Sequence, residues 1–284
     1  MSVNAPSSLF SPLAPSDLAR ARQWIRAADG LIITAGAGMG VDSGLPDFRG
    51  NEGFWAAYPP LQRAGIAFTD IANGQAFDKD PALAWGFYGH RLALYRQTRP
   101  HAGFALLRAL AADKPQGMFV FTSNVDGQFQ QAGVAEDRIV ECHGSIHHLQ
   151  CTQDCVGAIW PADGVVPQVE MAHCRLRSPL PECPHCGAVA RPNILMFDDS
   201  RWNERRTDGQ YRRMRSWLDK VRHPVVIELG AGTAIASVRR MGERLGAPLV
   251  RINPREWMVE GADRIGLRCG ALEGLRQIAA GWAA

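Results

Sequence analysis

Residues Thr34 to Gly50 read TAGAGMGVDSGLPDFRG, and they continue the apolar run LIIT of residues 31–34. A short, wholly apolar run is the signature of a strand buried on both faces, as in a parallel sheet. A Gly-Ala-Gly turn directly after such a strand (Gly36, Ala37, Gly38) lets backbone N–H groups approach an anion, because glycine carries no Cβ. The standard G-x-G-x-x-G dinucleotide fingerprint needs glycine at position 41, where Val41 stands. The turn alone fits a pyrophosphate cradle and a plain tight turn equally well. Asp47, Phe48 and Arg49, which close the stretch, have to be explained by the rest of the chain.

On either side of this stretch the chain alternates strands and helices. SDLARARQWIRAAD (residues 16–29) places Leu18, Ala21, Trp24 and Ile25 at helical spacing, with Ser16 or Asp17 as the cap and Gly30 as the stop. PALAWGFYGHRLALYRQT and HAGFALLRALAAD read as further helices, and GMFVFTS, HPVVIELGAG and APLVRIN as further buried strands. A helix from about Ser237 to Leu245 separates the last two strands. This alternation predicts an α/β fold: a Rossmann-like parallel sheet with helices on both faces. Between Ser145 and Asn193 the alternation stops, and five of the seven cysteines fall there. The expected organisation is a loose lead-in over 1–15, a Rossmann-like domain from 16–144 and 194–284, and a small metal-binding module over 145–193. The helical segment of about 50–100 is expected to pack with that module.

Composition excludes several classes. With 284 residues and a net charge of +3, the chain has no general electrostatic case for binding nucleic acid. The arginine-rich run at Ser200–Trp217 reads as a solvated helix face. No apolar run reaches the roughly 20 residues that a membrane helix needs. The N-terminus, rich in Pro, Ser and Ala, does not read as an export signal. Seven cysteines without such a signal favour thiols or a metal over disulfides, and the expected location is cytoplasmic.

Cys151 and Cys155 stand three residues apart, and Cys183 and Cys186 form a C-P-H-C-G knuckle. Two cysteine pairs across a loop suit a tetrahedral thiolate zinc, closed by four protein ligands and so structural rather than catalytic. Cys174 is an alternative ligand; Cys142 and Cys269 are expected to pack. Asn124 and Asp126 follow a strand at its carboxyl end, where open α/β sheets bind ligands, although both residue types also cap helices. His143, followed by Gly144 and Ser145, lies in a turn and is a candidate general base.

Together these pieces resemble the sirtuin family of NAD-dependent protein lysine deacylases, in order, over roughly Asp29 to Ile278. The family's cofactor loop, GAG followed by GIPDFR, is met by Gly36-Ala37-Gly38 and GLPDFRG; its TQNID…AG by TSNVDGQFQQAG; its HG by His143-Gly144. Its four zinc cysteines match Cys151, Cys155, Cys183 and Cys186. RPxVVxFGE appears as RPNILMFDD, the GTS loop as Gly232-Thr233-Ala234, and the ribose-binding asparagine as Asn253. The resemblance implies that NAD is the co-substrate. The glycine turn holds its pyrophosphate, and Asp47-Phe48-Arg49 shape the pocket around the nicotinamide ribose. Ser123, Asn124 and Asp126 face that ribose and the carboxamide, Trp55 lies near the loop, and one zinc is structural. It also implies the reaction: the acyl oxygen of a modified lysine attacks C1′ of the nicotinamide ribose and nicotinamide leaves. Neutral His143 then takes a ribose hydroxyl proton, and lysine and O-acyl-ADP-ribose result. Partners would be acyl-lysine proteins or peptides, with no membrane and no nucleic acid. Tyr88 and Arg91, three apart on one helix face, match the Tyr-x-x-Arg of members that prefer acidic acyl groups; an exposed polar pair is the alternative.

Some positions depart from the family. Ser123 replaces its glutamine, Gln128-Phe129 its Leu-His, Asp198-Asp199 its Gly-Glu, and GTAIASVRR its GTS-L-x-V-x-P. The last two segments grip substrate as strands in sirtuins, so peptide binding is put in doubt more than NAD binding, and two aspartates are expected to make the mouth acidic. Three activities remain: lysine deacylase, acetyl or acidic acyl; mono-ADP-ribosyltransferase; and non-catalytic NAD or ADP-ribose module, which would not need His143.

Overall fold

The computed structural model describes residues 13–47 and 50–282; Phe48, Arg49 and most of the 1–15 lead-in lie outside them. Helix α1 (Pro15–Ala27) leads into β1 (Gly30–Ala35). Six helices follow: α2 (Gly50–Ala57), α3 (Pro59–Arg63), α4 (Phe68–Ile71), α5 (Ala76–Lys79), α6 (Pro81–Gln97) and α7 (Ala102–Ala111). Then come β2 (Met118–Thr122), α8 (Gln128–Gln131) and β3 (Ile139–Glu141). The cysteine-rich segment carries β4 (Gly144–Cys151), β5 (Ile159–Pro161), β6 (Val169–Glu170), β7 (Arg175–Leu176) and β8 (Ala190–Ile194). The chain closes with α9 (Arg205–Leu218), β9 (Pro224–Leu229), α10 (Ser237–Arg244), β10 (Leu249–Ile252), β11 (Arg264–Leu267) and α11 (Ala271–Ala279).

Six strands form one parallel sheet in the order β11-β10-β9-β1-β2-β3. The chain leaves β1 toward β2 and β3, then returns to the other side of β1 and runs outward through β9, β10 and β11. The order therefore reverses between β1 and β9, and such a switch point opens a crevice above the strand ends. All six residues of β1 are buried, as its unbroken apolar run predicts. Ile33 sits between Val120 and Ile227 in register, and the helices supply Ile25, Leu107 and Leu275 to the same core.

A second core joins α2–α6 to the cysteine-rich segment. Phe54, Tyr58, Trp85 and Phe87 pack with Ile146, Leu149 and Ala190. The strands there form an antiparallel sheet, β5-β4-β8, and a small hairpin of β6 and β7. Two polar ties fix the join: Trp85 Nε1 donates to Ala190 O at 2.8 Å, and Arg175 grips Asp80 with two hydrogen bonds. The fit is tight at Gly86, where a Cβ would stand 1.9 Å from Cys174 O.

Helix α1 begins one residue earlier than expected, at Pro15. Its N-cap is Ala14 without a side-chain bond, because proline at the first position needs no N–H partner and presets φ. Ser16 and Asp17 thus lie inside the first turn. The arginine run does form a solvated face: α9 buries Thr207, Gln210, Met214 and Trp217 and leaves Arg212, Arg213 and Arg215 exposed. Among the described residues no helix is long and apolar enough to cross a membrane.

Candidate active site

A cavity of about 640 Å³ opens above the switch point. Its floor is built by the loops after β1, β2, β3 and β9. The first loop is positioned by close backbone contact: a Cβ on Gly36 would meet Ala231 Cα at 2.9 Å, and one on Gly38 would meet Gly230 Cα at 2.7 Å. These glycines let the two βα loops lie against each other, which a side chain would prevent. Gly36 and Ala37 line the cavity; Gly38 faces Gly230 instead. The loop is also pinned from behind, since His101 Nε2 bonds Met39 O at 2.9 Å and Asp42 accepts from Leu272 N at the start of α11.

Beyond β2, Ser123, Asn124 and Asp126 all line the cavity. Asn124 Nδ2 donates to Gly36 O at 3.1 Å and ties the second loop to the first. Asp126 also does the capping job, accepting from Gln128 N at 2.9 Å. Burial pushes its carboxyl up to about 6; Glu141 adds to the rise, and the Gln128 N–H and Arg91 oppose it. His143 sits on the wall between β3 and β4, and burial lowers its pKa, which keeps the ring neutral at and below neutral pH. Gly144 follows it at φ +75°, where a Cβ would stand 2.0 Å from Asn193 O, so only glycine lets β4 cross β8 here. His147 points elsewhere, with Nε2 at 2.9 Å from Asp126 O.

Tyr88 and Arg91 are not an exposed pair. Both are buried on α6, and both line the cavity. Arg91 Nε donates to Tyr95 Oη at 2.9 Å, and the guanidinium lies over the rings of Phe87 and Tyr95. Apolar walls from Leu45, Phe68, Val125, Ile194, Met196 and Phe197 surround them.

Gly232, Thr233, Asp47 and Glu256 complete the rim. Asn253 does not line the cavity. It is fully buried, its Nδ2 donates to Ala231 O, and its Oδ1 accepts from the backbone of Arg255 and Glu256. Trp55 also lies off the wall, its Nε1 bonded to Ile66 O. Phe48 and Arg49 fall outside the described residues. Sequence reading passed over Glu256, although an acid just past a Rossmann strand is a known ribose-binding signal.

The expected acidic mouth is corrected by the geometry. Asp199 is buried and paired with the equally buried Arg191 at 2.6 Å, so only Asp198 faces solvent, at φ +48°. The opposite lip is altered as the sequence suggested: residues 233–236 form a turn that runs straight into α10. Leu195 and Ile235, both substantially exposed, stand on the two lips.

The four cysteines Cys151, Cys155, Cys183 and Cys186 gather with every Sγ within 4.8 Å of the others. Two Sγ pairs are 3.6 Å apart. Four thiolates around a zinc at Zn–S ~2.3 Å would lie ~3.8 Å from one another, so the quartet fits the ion. Cys174 is outside this group, buried in the second core, and Cys142 and Cys269 pack in the sheet cores.

The profile of the Sir2 family matches residues 36–216, well over half of the chain. The chain belongs to the Sir2 family. Its Sir2-family relatives include NAD-dependent protein deacylase 2 of Pseudomonas aeruginosa, 32% identical over 206 residues, which are 72% of this chain and 75% of that protein. An NAD-dependent protein deacylase of Thermus thermophilus is 29% identical over 269 residues, covering 91% and 92%. Among solved structures, a Sir2 homologue variant in complex with ADP-ribose is 25% identical with a TM-score of 0.68, covering 93% of this chain and 97% of that one. A Sir2 homologue in complex with NAD has a TM-score of 0.69 at 24% identity, a likeness of fold, and covers 93% and 95%.

Proposed function

We propose that the chain is an NAD-dependent protein lysine deacylase that favours acyl groups ending in a carboxylate, such as succinyl or malonyl. The observation that carries the acyl preference is the buried guanidinium of Arg91 on the wall of the cavity that also holds His143. In an apolar pocket an arginine offers a fork of charged donors matched to a carboxylate, and Tyr88 adds a hydroxyl beside it.

NAD would supply an activated C1′ on its nicotinamide ribose for attack by the acyl oxygen. The chain's residues divide the remaining work. Gly36 and Ala37 present backbone to the pyrophosphate, at the point where the strand order reverses. Ser123, Asn124 and Asp126 orient the nicotinamide end, with Asp126 taking the carboxamide. His143, neutral because it is buried, accepts the proton of a ribose hydroxyl. Apolar walls around Phe68, Val125 and Phe197 keep bulk water from the reacting carbon. The Cys151, Cys155, Cys183 and Cys186 quartet would hold one zinc, which ties the ends of β4 to the knuckle before β8.

A mono-ADP-ribosyltransferase is the second reading, favoured by the turn at 233–236 where a gripping strand is expected. The test is nicotinamide release by the purified chain, with and without acetyl-lysine and succinyl-lysine peptides. Release that requires the succinyl peptide and is lost in His143→Ala supports the deacylase. Release independent of any acyl-lysine contradicts it.

A further inference from the structure

We infer that Glu256 recognises the adenosine ribose of the dinucleotide and excludes a 2′-phosphate, so that the chain selects NAD over NADP. This rests on the NAD-dependent reading above. The sheet order assigns the two halves of the dinucleotide. With the pyrophosphate over the turn after β1, the two nucleosides lie over the strands on either side. Ser123, Asn124, Asp126 and His143 all follow β2 and β3, on one side. Gly232, Thr233 and Glu256 follow β9 and β10, on the other, and there the adenosine half must lie.

On that side the residue expected to meet the ribose, Asn253, is inaccessible. Its side chain instead builds a turn, accepting from the N–H of Arg255 at 3.0 Å and of Glu256 at 2.9 Å. This turn carries Glu256 to the cavity rim. There the carboxylate accepts from Thr233 Oγ1 at 2.5 Å and from Thr233 N at 3.2 Å. It therefore sits on the very loop that the family resemblance gives to the cofactor.

An ionised carboxylate only accepts hydrogen bonds, and a ribose 2′,3′-diol supplies two donors. A 2′-phosphate supplies no donor when ionised and brings about two negative charges against the carboxylate. The nearby cations do not offset this. Arg239, 3.6 Å from the carboxylate, is committed to the carbonyls of Ala231 and Glu256. Arg255 lies toward Asp47, 3.8 Å away across the rim.

The test is calorimetric titration of the full chain and of Glu256→Gln with NAD and with NADP, at one ionic strength. The amide keeps the shape, removes the charge and can donate to phosphate. The expected result is that NAD binds the unaltered chain at least ~30-fold more tightly than NADP, and that this ratio falls by about tenfold or more in the variant. An unchanged ratio overturns the inference, as does equal binding of both dinucleotides by the unaltered chain. Equal weakening of both, with the ratio kept, makes Glu256 a brace for the Thr233 loop and also overturns it. If the unaltered chain binds neither dinucleotide, the NAD-dependent reading itself fails.

Discussion

Asp126→Asn should make the protein more stable while making it a poorer enzyme. The carboxyl of Asp126 is pushed up from 3.8 to about 6, chiefly by burial. A shift of about two pH units corresponds to about 3 kcal/mol of strain on the ionised form. Because the folded pKa is raised, the contribution of the protonated acid is complete below 3.8 and is lost as pH rises through about 6. Above that, the native state carries a buried carboxylate at full cost. Asparagine is never charged, and its Oδ1 can still accept from Gln128 N. The gain in stability from the substitution should therefore be near zero at pH 4, grow by about 1.4 kcal/mol per pH unit, and level off above pH 6 at a ceiling of about 3 kcal/mol. Urea unfolding of both proteins at several pH values between 5 and 8 measures this directly. A gain independent of pH would refute the reasoning, as would a loss of stability at pH 8. Turnover should fall at the same time, since Asp126 is assigned to the carboxamide; strained residues at functional sites show this trade-off.

The other predictions concern the base, the acyl pocket, the metal and one helix contact. His143→Ala should cut kcat by about 10²–10⁴-fold, and in the unaltered enzyme the acid limb of kcat/KM should lie below 6.5, because burial lowers this histidine's pKa. Arg91→Met should cost desuccinylation about 10- to 100-fold in kcat/KM relative to deacetylation, the worth of one charge-assisted pair of about 1.5–3 kcal/mol; equal losses for both acyl groups would count against the pocket. Metal analysis should find about one zinc per chain, and Cys183→Ser should remove it and lower the melting temperature. Gly86→Ala gains up to about 1 kcal/mol of helix propensity. It also places a Cβ 1.9 Å from a backbone carbonyl, so net destabilisation is expected in thermal melts; a stabilised variant would show that α6 does not press on the Cys174 turn.

How much of this was legible in the sequence depended on the kind of signal. β1, β2, β9 and β10 are read at once, because a strand buried on both faces is a plain apolar run. β3 and β11 are not. The first is three residues long and ends in Glu141, a buried acid held by Arg206 at 2.6 Å. The second alternates Arg264 and Gly266 with buried Ile265 and Leu267 at the sheet edge. The cysteine quartet is visible through its spacing, since metal ligands are local in sequence. The cofactor rim is harder. Asn253 and Glu256 are three residues apart, and only the fold decides that the amide turns inward and the carboxylate outward. Asp199 is the same lesson reversed: a surface acid by its neighbours, it is a buried partner of Arg191 once β8 is formed. Tyr88 and Arg91 needed both levels, as helical spacing puts them on one face and tertiary packing turns that face into the cavity.

The central claim is that the acyl group is transferred to ADP-ribose rather than simply hydrolysed or left in place. It is tested most directly by mass spectrometry of a succinyl-lysine peptide incubated with the purified chain and NAD. The account requires NAD-dependent appearance of free lysine and O-succinyl-ADP-ribose in equal amounts. NAD consumption with the peptide still acylated, and ADP-ribose found on protein instead, would contradict it.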